Sequence, residues 1–201
     1  MVRYPIPAAE HSFEQEIKHS RFIATVVYAP TLAEARAQIA AIAARYPDAT
    51  HNCWAFHVGV GPQAEIGASD DGEPGGTAGR PMLLVLQGSG LGDVAAVVTR
   101  YYGGVKLGSG GLVRAYGGTL QKALNALPTC EQVVRRAGVL TLDYALYEQA
   151  RRLLAQFDAL VEAEDFAASV TLQVALPQDQ WDACAAAIRE LSNGAAALLD
   201  G

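Results

Sequence analysis

"GVLTLDYALYEQARRLLAQFDALVEAEDFAASVTLQVALPQDQWDACAAAIRELSNGAAALLD", residues 138–200, decides the fold of the last third of this chain. "GVLTLDY" has the β-branched and aromatic content of a strand, and "ALYEQARRLLAQF" repeats its apolar residues at helical spacing. "ALVEAEDF" and "SVTLQVAL" read as two further strands. "QDQWDACAAAIRELS" is a second helix, opening after Pro177, and "AAALLD" is a last strand. The order βαββαβ over about 65 residues predicts a ferredoxin-like domain. The boundary falls in "EQVVRRAG", residues 131–138, which gives domains of residues 1–136 and 137–201.

Toward the N-terminus, element types alternate as well. "RFIATVVYAP", residues 21–30, is a strand that ends at Pro30. "TLAEARAQIAAIAARYP", residues 31–47, opens on Thr31 as N-cap with Glu34 three positions on, a capping box, and runs helically to Pro47. "HNCWAFHVG", residues 51–59, alternates as a strand does, and a short strand follows near Glu65. "AGRPMLLVLQGSG", residues 78–90, reads as a helix that tolerates Pro81 in its first turn and ends near Gly88. "VAAVVTRYY", residues 94–102, is a buried strand. In "GLVRAYGGTLQKALNAL", residues 111–127, Leu112, Ala115, Tyr116, Leu120, Ala123 and Leu127 share one helical stripe. Gly117 and Gly118 inside that helix cost roughly 1 kcal/mol each against Ala, which predicts a close neighbour there. The fold class is α+β in two domains.

Of the 201 residues, 51% are apolar, enough for two buried cores, and the net charge of −6 disfavours a general nucleic-acid binder. That charge is unevenly placed: residues 1–136 carry 12 basic and 11 acidic side chains, residues 137–201 carry 3 and 10. No run of about 18 apolar residues is present, and "MVRYPIPAAEH" lacks a cationic stretch followed by an apolar one. Neither a membrane span nor a secretory signal is expected, and the cytoplasm is the expected compartment. Cys53, Cys130 and Cys184 are few, odd in number and widely spaced, which fits reduced thiols.

Three stretches carry candidate chemistry. In the strand at 51–59, alternation puts His51, Cys53 and His57 on one face. Neighbours two apart on a strand lie about 6.6 Å apart at the backbone, awkward for a direct Cys–His hydrogen bond, so structural roles are favoured over a nucleophile or zinc ligands. The loop "SDDGEPGGT", residues 69–77, sets Asp70, Asp71 and Glu73 within four positions. Carboxylates so close need a cation, a basic side chain or backbone donors. They could hold Mg²⁺, whose ligands are hard oxygens, or form a rigid turn that caps the following helix. Between residues 94 and 130 no acidic side chain occurs, yet Arg100, Lys106, Arg114 and Lys122 do, with Tyr101, Tyr102 and Tyr116. "GSGGL" precedes a helix, and helix N-termini attract anions. Arg100, Tyr101, Lys106, Gly108, Ser109, Gly110, Gly111 and Arg114 are therefore the candidate anion or nucleic-acid site. It is not a Walker loop, because Leu107 follows Lys106 where Ser or Thr is required. Nor does the acidic residue of a dinucleotide-binding turn follow. The alternative, which can hold at the same time, is that Arg100, Lys106 and Arg114 neutralise Asp70, Asp71 and Glu73 as a structural ion-pair network.

"EIKHSRFIA", "HNCWAF", "SDDGEPGGTAGRP" and "RYYGGVKLGSGGLVRAY" together resemble the IMPACT family, and the length and acidic second half resemble its bacterial YigZ-like members. The resemblance covers the whole chain. It implies an N-terminal domain with the fold of the second domain of ribosomal protein S5 and a ferredoxin-like C-terminal domain similar to those at the end of elongation factor G. Eukaryotic relatives regulate translation initiation with an additional N-terminal domain, an activity the resemblance does not carry over. It points to a translation-associated binding protein that meets RNA, the ribosome, a translation factor or another anionic partner through the N-terminal domain. The alternative is a Mg-dependent enzyme acting on a phosphorylated or nucleotide-like small molecule, which draws on the small-molecule kinases of the S5-like superfamily.

Overall fold

Seven of the eight residues of the run Val94–Tyr101 are buried, and the run forms the middle strand of a five-stranded sheet. The structure, a computed structural model, describes residues 3–201 and divides into two units, Arg3–Gln132 and Val133–Gly201. In chain order the elements before the division are β1 (Arg3–Pro7), β2 (His11–Ile17), β3 (Ser20–Tyr28), α1 (Leu32–Ala44), β4 (His51–Val58), β5 (Glu65–Ser69), α2 (Gly79–Ser89), β6 (Val94–Tyr101) and α3 (Ser109–Asn125). β7 (Thr129–Val133) pairs with β1.

The large sheet has the order β2-β3-β6-β4-β5 with every neighbouring pair antiparallel. β3 and β4 both run against β6, so they run parallel to each other and α1 joins them across it. Both faces of the sheet are covered. Val94, Ala96 and Val98 of β6 pack with Phe22, Cys53 and Ala55 beneath α2 and α3, whose Met82, Leu86, Leu112, Tyr116 and Leu120 complete the core. Ala95 and Val97 point the other way, toward Ile39 and Ile42 of α1. A strand buried on two faces reads as a continuous apolar run, which is why "VAAVV" shows no alternation. Thr31 caps α1 as expected, its hydroxyl oxygen accepting from the Glu34 amide at 3.2 Å.

The second unit contains β8 (Arg135–Leu142), α4 (Tyr147–Gln156), β9 (Leu160–Phe166), β10 (Val170–Pro177), α5 (Trp181–Leu191) and β11 (Leu198–Asp200). Its sheet order is β11-β8-β10-β9, all antiparallel, with Leu140, Leu172 and Leu176 packed against Leu154, Trp181 and Ile188 of the helices. The chain is thus a mixed α+β protein with the βαββαβ order in its second part.

Several details differ from the sequence reading. β1, β2 and β7 were not anticipated; in β2 alternate residues are half-buried and the rest exposed, and just Phe13 and Ile17 supply apolar contact with the core. The division falls after Gln132, so Arg135 and Arg136 belong to the second unit, where they meet Asp158 and Asp200. Residues 3–132 then carry 10 basic and 11 acidic side chains, and the slight positive balance of the first part disappears. The expected close neighbour at the helical glycines is also absent. A Cβ at Gly117 would meet Val85 at an ordinary 3.7 Å, and one at Gly118 would meet nothing within 4 Å.

A close approach occurs elsewhere. The β2–β3 hairpin turns through Lys18 and His19, both left-handed with φ of 47° and 63°, as a two-residue type I′ turn requires. The loop after β6 lies against this turn: a Cβ at Gly103 would overlap the backbone carbonyl of His19, and the Gly103 amide donates to Ser20 Oγ at 3.2 Å. Gly103→Ala should therefore destabilise the protein by about 1–3 kcal/mol or more through overpacking. Gly118→Ala should instead be neutral or stabilising by up to about 1 kcal/mol. Urea midpoints of the two variants check the contrast.

Candidate functional site

The acidic loop after β5 distributes its carboxylates to three separate places. Asp70 turns onto the start of α2, its Oδ1 accepting from the amides of Ala78 and Gly79 at 2.9 and 2.8 Å and its Oδ2 from Gly76 at 2.7 Å. Burial of Asp70 works to raise its pKa, but these three donors outweigh it and hold the carboxyl below the usual range. Asp71, at φ 42°, accepts from the Asn52 amide at 2.6 Å. Glu73 is buried, and one of its oxygens, Oε1, accepts from Arg100 Nη1 at 2.5 Å and from Tyr116 Oη at 2.7 Å. Mg²⁺ binding through these three residues does not fit this arrangement, because each carboxylate is held by the protein's own donors. Among the described residues no group of three or more His, Cys, Asp or Glu side chains could hold a metal ion.

β4 secures the same loop from below. Cys53 Sγ donates to the Asp70 carbonyl at 2.9 Å, and His51 Nδ1 lies 2.7 Å from the Asp71 carbonyl. Burial pushes the Cys53 thiol up to about 12, so no thiolate is available near neutral pH. His57 meets the Leu91 carbonyl at 3.0 Å. The Cys and His residues of the strand therefore anchor loops and form no nucleophile–base pair.

Arg100 stands where these elements converge. It is 5% exposed, and its guanidinium lies between the rings of Phe22 and Tyr102, 5.4 and 5.3 Å from their centroids. Its Nη2 donates to Ser20 Oγ at 3.3 Å, while Nε is buried without a hydrogen-bond partner. Burial also raises the pKa of Tyr116, keeping its hydroxyl a donor to Glu73.

Outside this buried layer lies a cleft of about 490 Å³ whose walls include Glu73, Pro74, Arg100, Tyr102, Lys106 and Ser109. Gly108, at φ 74°, ends the glycine loop and stands at the N-cap of α3 without a side-chain cap. The first-turn amides of a helix have no intrahelical partner, so this end of α3 presents free N–H groups and the positive end of its dipole. Leu107 and Leu112 supply an apolar floor.

The structure gathers some predicted site residues and separates others. Arg100, Lys106, Gly108 and Ser109 line the cleft. Gly110 lies in the same first turn of α3 without lining it. Gly111 and Arg114 line a neighbouring groove of about 270 Å³ with Ile17, Lys18, Leu107 and Ala115. Tyr101 points away from both: its hydroxyl donates to Asp48 at 2.8 Å, and Arg21 lies 5.6 Å from its ring centroid. Tyr102, 46% exposed, occupies the cleft instead. Counting strand alternation on from Arg100 would have identified it, since residues two apart share a face. Lys18 lay within "EIKHSRFIA", but no local spacing linked it to the glycine loop.

Residues 18–124 match the Impact N-terminal domain, and residues 140–195 match a domain of unknown function, DUF1949. The chain is 41% identical over 200 residues to the Escherichia coli protein described as IMPACT family member YigZ, covering 99% of this chain and 98% of that one. It is 40% identical over 195 residues to an IMPACT family member of Haemophilus influenzae, 96% and 95% covered, and 37% identical over 194 residues to YvyE of Bacillus subtilis, 96% and 88% covered. A crystal structure of a hypothetical protein superposes with a TM-score of 0.74 at 40% identity over 100% of this chain and 98% of that one.

Two outcomes test the buried layer. Glu73→Ala strands the Arg100 charge and should cost about 3–5 kcal/mol in chemical denaturation, with Glu73→Gln less damaging because an acceptor remains. Asp70 has a depressed folded-state pKa, so its contribution is full above its unfolded value near 4 and is lost as pH falls through the folded value. Asp70→Ala should cost about 1–2 kcal/mol at pH 7, and its difference from wild type should shrink by pH 3.

Proposed function

The chain belongs to the IMPACT family, and on that premise we propose that it is a translation-associated binding protein of the cytoplasm that receives RNA or another anionic surface of the ribosome at the cleft of its first unit. The supporting observation is that an uncapped helix N-terminus opens into a cleft beside Lys106, which has no ion pair among the described residues, and beside the half-exposed ring of Tyr102. Free amides and an ammonium group attract phosphates, and an aromatic ring stacks on bases. The second unit, with 5 basic and 10 acidic side chains, repels a polyanion, so the reading assigns contact to the first unit.

A Mg-dependent enzyme acting on a phosphorylated or nucleotide-like small molecule has less support, since its three carboxylates are committed to internal donors. Lys106→Glu, with an unchanged melting temperature, should weaken co-sedimentation with ribosomes and RNA retention, and should lower the salt dependence of binding by about one charge. Undiminished binding would remove the reading. A rise in melting temperature with millimolar nucleotide and Mg²⁺ would favour the enzyme instead.

A further inference from the structure

The cleft and the neighbouring groove flank the same end of α3 and share Leu107 as their common wall. On the cleft side stand Tyr102, Lys106 and Ser109, and on the groove side Lys18, Gly111 and Arg114. Ser109 and Arg114 lie about a turn and a half apart on the helix. Lys18, Lys106 and Arg114 form no ion pair among the described residues, whereas Glu14 of the adjoining hairpin is paired locally. Glu14 pairs with Arg21 at 2.6 Å, while Glu16 stays exposed, 3.6 Å from the His19 ring. Lys18 owes its place to the type I′ turn, which Gly103 presses against the loop leading to Lys106.

We infer that the two hollows form one track for a single strand of nucleic acid, with an unpaired base stacked on Tyr102 in the cleft and the next phosphate held by Lys18 and Arg114 in the groove. This rests on the anion-binding reading above and narrows it to one partner class. The cleft has a ligand-sized volume and, with Pro74, Leu107 and Leu112 in its lining beside Tyr102, apolar surface suited to a base face. A base reaches such a site only when it is free of a duplex stack, which excludes paired nucleic acid. Arg100 fixes the ring from behind, 5.3 Å from its centroid, and the ring remains 46% exposed. Arg100 itself lines the cleft, and its Nε is buried without a hydrogen-bond partner. Alternate engagement of ring and cations along one path is the pattern by which strands are bound without sequence preference.

The test is fluorescence anisotropy of the full chain with an eight-nucleotide RNA, the DNA of the same sequence and the matching RNA duplex, with inorganic polyphosphate as competitor. Either single strand should bind at least about 10-fold more tightly than the duplex. Tyr102→Ala should lose about 10-fold for the single strand and Tyr102→Phe should retain it, with polyphosphate competition unchanged in both. Lys18→Glu combined with Arg114→Glu should weaken strand and polyphosphate alike and reduce the salt slope by about two charges. Melting temperatures establish that each variant is folded. If duplex and strand bind equally, or folded Tyr102→Ala binds the strand as wild type does while polyphosphate still competes, the track is wrong and the anion site stands. If neither strand nor polyphosphate binds at low salt, both fall together.

Discussion

The buried ion pair between Arg100 and Glu73 is the constraint around which the first unit is arranged. Arg100 is the penultimate residue of the central strand, Glu73 sits on the loop between β5 and α2, Tyr116 joins the pair from α3, and Ser20 and Phe22 join it from β3. A desolvated charge pair is not by itself a large source of stability, because the loss of water offsets much of the Coulomb attraction. Its effect is selective: either partner alone would be an uncompensated buried charge, so the loop, the strand end and the helix are held in one mutual placement. The position of Tyr102 follows from it, since the ring rests on the guanidinium that Glu73 fixes.

The same chemistry explains why two helices of one core begin so differently. α2 starts beneath the acidic loop, and Asp70 fills its first amides. α3 starts after a glycine loop that has no acceptor side chain to offer, and its N-cap is Gly108. An acidic and a basic loop near each other in sequence are therefore only partly mutual partners. Glu73 neutralises Arg100, Asp70 and Asp71 are absorbed by backbone donors, and Lys106 and Arg114 are left over.

Most of the architecture was legible in the sequence because it rests on periodicity and punctuation. Pro30, Pro47 and Pro177 mark ends and starts, Thr31 caps, and the stripe from Leu112 to Leu127 is buried as its spacing demands. Elements with weak apolar content escaped, as with β2, where polar residues fill most of the strand and tertiary packing decides. The candidate site was half legible. Composition located the glycine loop, but the choice of Tyr101 over Tyr102 depended on strand parity, and the approach of Lys18 depended on a hairpin pressed onto Gly103 from some eighty residues away. No local pattern encodes that contact; only the absence of a side chain at Gly103 hints at it.

Net charge was the least informative of the sequence signals, for a physical reason. Screening limits exposed charges to a range of about 8 Å at physiological salt, so a phosphate responds to its immediate surroundings and hardly to the total. In the first unit many acids are already matched: Glu10 with Arg45, Glu14 with Arg21, Glu73 with Arg100, and Arg3 with Glu131. Each such pair contributes nothing to the sum and little to the field beyond its own contact. The end of the unit around α3 is different because no acid lies between residues 94 and 130 and two of its cations, Lys106 and Arg114, have no ion pair among the described residues. A unit with 10 basic and 11 acidic side chains can therefore present a locally cationic edge, and it is the distribution of partners that determines where an anion would settle.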